Sequence, residues 1–117
     1  MTSPTQRSLA HLRDKGCVAQ VVEKWIAQAR KRVDLFGVID IIALDDKPGV
    51  LGVQTTTSAN LAARIKKAAE IPEIRIWLAR GNRLHFHGWR KSRLSRRWEC
   101  HVRSASVETG EFLITML

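Results

Sequence analysis

The chain has 117 residues, a length that fits one domain with an ordinary hydrophobic core. Its 44% hydrophobic content argues against a disordered chain, and no apolar run approaches the ~20 residues that a membrane-spanning helix needs. Twenty Lys and Arg against 11 Asp and Glu leave a net charge of +9, which points to a polyanionic partner, nucleic acid first.

Ser3-Pro4-Thr5-Gln6 reads as a helix start. Ser3 can cap, Pro4 suits the first helical position, and Gln6 can complete a capping box. Leu9, Ala10 and Leu12 supply an apolar face and Gly16 a stop, so a helix is expected over about residues 4 to 15. The stretch from Cys17 to Arg32 reads two ways. Val18, Val21, Val22, Trp25, Ile26 and Ala29 follow helical spacing, whereas Cys17 to Val22 is also β-branched enough for a strand. Local spacing favours the helix. Cys17 and Cys100 have no partners at metal-binding spacing and read as two reduced, buried thiols. With a polar N-terminus that carries no signal sequence, this suggests a cytoplasmic setting.

Leu35 to Leu44 is almost wholly apolar and reads as a buried strand with Asp40 in its middle. A buried carboxylate is costly unless a cation or a hydrogen-bond donor meets it. Asp45 to Gly49 is a turn, and Val50 to Thr56 a second strand ending in the polar Gln54 and Thr56, paired with the first as an antiparallel hairpin. Ser58 can cap a second helix whose buried stripe is Leu61, Ala62, Ile65, Ala68 and Ala69, ending at Pro72. Arg64, Lys66 and Lys67 lie off that stripe. Glu73 to Ala79 alternates and is expected as a strand. Arg83 to Gly88 alternates again, with Leu84 and Phe86 inward and His85 and His87 outward. A basic loop, Arg90 to Arg97, separates two tryptophans, and Trp98 to Val107 is a further strand. The apolar tail from Gly110 to Leu117 is expected to dock on the sheet or on a second subunit, as in a homodimer.

If the two central strands pair, Asp40 converges with Gln54 and Thr56: a carboxylate, an amide carbonyl and a hydroxyl. These hard oxygen donors suit Mg²⁺ or Mn²⁺ rather than zinc, and a magnesium site needs few protein ligands. The alternative is that Asp40 bonds only backbone donors at a strand end. His85 and His87 share a face but lack a third ligand. Arginines interleaved with tryptophans between Trp89 and Trp98 suit a nucleic-acid surface.

These features resemble the PD-(D/E)xK nuclease superfamily, the restriction-endonuclease-like fold, and within it small phage and prophage proteins near the Holliday-junction resolvase and VRR-NUC branches. The resemblance covers roughly Ser3 to Lys91. It rests on the helix opened by Ser3 to Gln6, on Asp34 to Ala43 around Asp40, on the hairpin, and on Gly52-Val53-Gln54-Thr55-Thr56. It implies an α/β domain with an αβββαβ core, a mixed central sheet flanked by helices, and Cys17 to about Glu23 as the first strand. Residues 90–117 add a basic loop and C-terminal strands. It implies a metal-dependent DNA endonuclease, with branched or phage DNA as candidate substrates, working in a bacterial or phage-infected cell. Asp40 and Gln54 would hold the metal, and Thr56 stands where the catalytic lysine usually is. Lys67, Lys66 or Arg64 could replace that lysine, and Glu23 or Asp34 could add a carboxylate. DNA would lie on Arg64, Lys66, Arg80, Arg83, Arg90, Lys91 and Arg93. Because threonine cannot supply the lysine's charge, the alternative is a weak or inactive nuclease fold that binds DNA.

Overall fold

A computed structural model describes residues 2–117. The helix α1 (Pro4–Asp14) starts where its cap residues place it, with the Gln6 amide donating to Ser3 Oγ at 3.2 Å. Eight strands follow: β1 (Val18–Val21), β2 (Lys24–Ile26), β3 (Lys31–Val33), β4 (Ile41–Leu44), β5 (Leu51–Thr57), β6 (Arg83–Lys91), β7 (Trp98–Glu108) and β8 (Glu111–Met116). Between β5 and β6 a short 3₁₀ turn leads into α2 (Leu61–Ala69) and α3 (Pro72–Ala79). Six strands form one mixed sheet in the order β1-β4-β5-β6-β7-β8. Only β5 and β6 run parallel, as the helical crossover between them requires. The hairpin β2–β3 stands apart as a two-stranded sheet.

Helices cover both faces. Leu9 and Leu12 of α1 pack on Ala19, Ile41, Ala43, Leu51 and Val53. On the other face Leu61, Ala68 and Ile74 pack on Val38, Ile39, Leu84 and Phe86. Gly52 allows the second packing, because a Cβ there would lie 2.7 Å from Ile39 Cδ1.

Several expectations are corrected. The helix expected from local spacing after Cys17 is absent, because β1 pairs antiparallel with β4 and β2 turns back on β3. Long-range pairing overrides a weak local preference. The strand expected over Leu35 to Leu44 is only its second half. Phe36 and Gly37 have φ of 55° and 75°, and Leu35 bridges to Ile39 across a tight turn. Glu73 to Ala79 is helical rather than extended, starting at Pro72 with Glu73 in its first turn. Its buried residue is Ile74, with Trp77 and Leu78 partly buried one turn on, whereas Ile76 is exposed.

His87 is not on an outer face. It is 2% exposed beneath α1, and its Nδ1 lies 2.9 Å from Ser8 Oγ. Trp89 Nε1 donates to the same Ser8 oxygen at 2.8 Å, so the one hydroxyl bridges both buried rings. Burial pushes the imidazole down to about 3. His87 thus stays neutral where an unfolded chain takes up a proton, and its contribution to stability is lost as pH falls from about 6.5 towards 3. His85 is half-buried and pushed down to about 4. The two cysteines are half-buried and free rather than fully buried, and burial raises Cys100 to about 12. The apolar tail docks on the sheet as β8, paired with β7. Among the described residues, no helix is long and apolar enough to cross a membrane.

Ser8→Ala should therefore lower stability by about 1–3 kcal/mol, since it orphans the buried Trp89 N–H. Urea denaturation measures this, and an unchanged midpoint would show that the tryptophan finds another partner.

Candidate metal centre

The site is built where three chain segments meet. Ile39 packs on the α2 side of the sheet and Ile41 on the α1 side, so the alternation of β4 breaks at the residue between them. That residue is Asp40. Its backbone N–H donates to Val53 O at 2.9 Å, one step before the Ile41–Val53 pair. Its carboxylate then takes over the ladder. Asp40 Oδ2 accepts from the Thr55 amide at 2.8 Å and from Thr55 Oγ1 at 3.2 Å. Thr55 Oγ1 also lies 2.8 Å from Thr5 Oγ1, which ties the first turn of α1 to the site. If Thr55 donates to Asp40, the Thr5 hydroxyl donates to Thr55.

The other two acids arrive from the base of the β2–β3 hairpin. Lys24 pairs with Val33, so Glu23 and Asp34 flank the next position down. The Asp40 carbonyl accepts from the Val22 and Glu23 amides at 2.8 and 3.3 Å, which fastens this base to β4. Ligand oxygens of Glu23, Asp34 and Asp40 all lie within 4.8 Å of one another. Among the described residues this is the one cluster of three or more acidic, histidine or cysteine groups close enough to share an ion.

Asp40 is 5% exposed, and burial pushes its carboxyl up to about 8. The Thr55 amide opposes the rise, while Asp34 and Glu23 add to it. A divalent cation would remove this conflict, because it favours all three groups ionised. Three carboxylates form a hard oxygen set, so the residues present fit such an ion.

Gln54 lies beside Asp40 in the register and opposite Phe86 on β6. It is 2% exposed, and its Oε1 has no hydrogen-bond partner among the described residues. Such an orphaned acceptor is unusual. Thr56 is buried two residues on, over Gly88 of β6. The contact to Asp40 is therefore made by Thr55, the residue between the two singled out in the sequence. Thr5 and Thr55 were missed there; the clue was polarity persisting through Gln54-Thr55-Thr56.

Among the described residues, none of Lys66, Lys67 and Arg64 makes an ion pair with the cluster. The charges acting on Asp40 are Asp34 and Glu23, and Lys66 and Lys67 are exposed on α2, with Arg64 half-buried. The cation that touches the cluster is Arg32, whose Nη1 is 3.6 Å from Glu23 Oε1. Arg83 is engaged elsewhere, in a bidentate pair with Asp45 at 2.6 and 3.0 Å. It starts β6, opposite Leu51, so it and the exposed Arg80 lie at the far end of the sheet from Asp40. Arg90 and Lys91 close β6, next to the Thr57–Trp89 pair, and Arg93 follows them; all three are exposed at the Asp40 end. Beside α1, His11, His85, His87, Cys17 and Cys100 line a cavity of about 510 Å³.

Comparison with protein-family models, with curated proteins and with solved structures finds no match to this chain.

A raised carboxyl destabilises the metal-free protein as pH rises from about 4 to 8, by up to about 1.4 kcal/mol per pH unit. In EDTA, Asp40→Asn should therefore become more stable than the wild type, by a margin that grows from pH 5 to pH 8. Thermal melts across that range test this, and a margin independent of pH would contradict the assigned burial. Mn²⁺ should raise the wild-type melting temperature at pH 8 and leave Asp40→Asn unmoved.

Proposed function

We propose that the chain is a metal-dependent phosphodiesterase acting on DNA, built on the αβββαβ plan of the PD-(D/E)xK nucleases. One observation carries this reading: a buried Asp40, set on Thr55 and flanked by Glu23 and Asp34, lies at the carboxyl ends of the parallel pair β5 and β6. In α/β sheets that end is where ligands are bound. The element order supports the family plan, with α1, then β1, β4 and β5, then the helical crossover and β6; the β2–β3 hairpin is an insertion in that order. The net charge of +9 suits a polyanionic substrate.

Glu23, Asp34 and Asp40 would hold Mg²⁺ or Mn²⁺. When bound, the ion would supply Lewis-acid stabilisation of the phosphate charge and a more acidic water. Thr55 fixes the Asp40 carboxylate through its amide and hydroxyl, and Thr5 fixes Thr55. Glu23, whose side chain is 15% exposed, is the member of the triad that meets a cation from outside it. Arg32, which touches Glu23, would be a basic group placed to balance charge on a phosphate.

A second reading, a nuclease fold that binds DNA without cutting it, is favoured by Thr56 in the lysine's place and by the exposure of Lys67. The two readings separate in one assay. Labelled linear, nicked and branched DNAs incubated with Mn²⁺ or Mg²⁺ should be cut by the wild type and left whole by Asp40→Asn. Thr55→Val should weaken metal affinity by about 10- to 100-fold, as loss of an orienting partner does. Cleavage that persists in Asp40→Asn would overturn the site, whereas binding without any cleavage supports the second reading.

A further inference from the structure

The β2–β3 hairpin has no counterpart in the reading above beyond supplying Glu23 and Asp34 at its base. Its own residues are unusual. Positions 24 to 33 hold Lys24, Arg30, Lys31 and Arg32 and no acid. Nearly every residue in it is exposed, including Trp25 at 54%. The other large aromatics of the chain have partners: Trp77 and Trp89 donate their indole N–H groups, and Trp98 lies under the Arg7 guanidinium at 3.9 Å. Among the described residues no such contact accounts for Trp25.

The register gives Trp25 a specific neighbour. Trp25 pairs with Arg32, so indole and guanidinium share one face of the hairpin. Glu23 and Asp34 lie two residues further along the same two chain segments, on the same face by alternation. The 3.6 Å contact between Arg32 and Glu23 agrees with this. Along this face an aromatic plate, a guanidinium and the acidic cluster follow one another, with about 7 Å between the aromatic position and the acids. On the opposite flank of the cluster, three strands away, stand the exposed Arg90, Lys91 and Arg93.

We propose that the Trp25–Arg32 face is a platform for a single strand of DNA. Trp25 stacks on an unpaired base, Arg32 leaves Glu23 for the adjoining phosphate, and the next phosphate reaches the acidic cluster. A base inside a duplex offers no free face to an indole, so the arm selects DNA that is single-stranded or frayed beside the scissile bond. The cations suit the strand's backbone, and an exposed tryptophan among them suits its bases. This inference rests on the nucleic-acid reading of the site but not on cleavage.

The test is fluorescence anisotropy in EDTA, with a labelled 12-nucleotide single strand and the matching blunt duplex. Trp25→Ala should weaken single-strand binding by about 5- to 150-fold, the usual worth of one base–aromatic stack, and leave duplex binding within about twofold. Trp25→Phe should restore most of the loss. Arg32→Ala should weaken binding and lower the salt dependence by about one phosphate contact. Thermal melts confirm folding, which an exposed side chain should not disturb. An equal loss on both DNAs, a failure of phenylalanine to rescue, or no binding of the single strand by the wild type would each overturn the platform. Single-strand binding through Trp25 without cleavage in Mn²⁺ would keep this proposal and remove the phosphodiesterase reading instead.

Discussion

The structure turns on one hydrogen-bonded junction, the Asp40 carboxylate on the amide and hydroxyl of Thr55. It sits where the side-chain alternation of β4 begins, between an isoleucine on one face and an isoleucine on the other. The carboxylate occupies the ladder position that a backbone carbonyl would otherwise fill. Paired to one amide and one hydroxyl, it is satisfied as an acceptor but remains poorly solvated as a charge, and burial raises it to about 8. A core designed for stability alone would place an apolar side chain or a backbone bend there. An ionisable residue stands there instead, with two more carboxyl groups beside it, and together they form a cluster that could hold an ion.

The topology gathers charge of opposite sign at one end of the sheet. β4 begins, and β1, β5 and β6 end, at the same edge. The acids occupy the centre of that edge. Basic residues rise on both flanks, from the β2–β3 hairpin on one side and from Arg90, Lys91 and Arg93 on the other. A phosphate backbone laid across the edge would meet cations on either side of a cation-seeking cluster. The far end differs in character: there Arg83 is locked to Asp45.

The sequence announced this site through cost. Asp40 in an apolar run had to have a partner, and the oxygen-rich Gln54-Thr55-Thr56 lay on the neighbouring strand. Which of the three threonine and glutamine side chains meets it is not legible, because the alternation breaks at Asp40 itself, between Ile39 on one face and Ile41 on the other. The middle threonine makes the bond, and by alternation Gln54 and Thr56 turn to the other face of the strand, so the expected convergence of both with Asp40 does not occur. Glu23 was visible only as one of two spare acids, since its approach depends on a hairpin whose residues carry a helical spacing. α3 was misread for a related reason. Ile74, Ile76 and Leu78 alternate, yet Ile74, Trp77 and Leu78 also fit one helical face, and the Pro72 start decides between them. His87 was misplaced because nothing local reveals that α1 folds back over that face of the sheet.

The most direct measurement is anomalous diffraction from a crystal soaked in Mn²⁺ at about pH 8. One strong peak is expected about 2.0–2.3 Å from an oxygen of Asp40, with Glu23 or Asp34 completing the protein ligands. A crystal in which the acids keep their positions and no ion lies between them, at Mn²⁺ concentrations that occupy ordinary magnesium sites, would contradict the central claim.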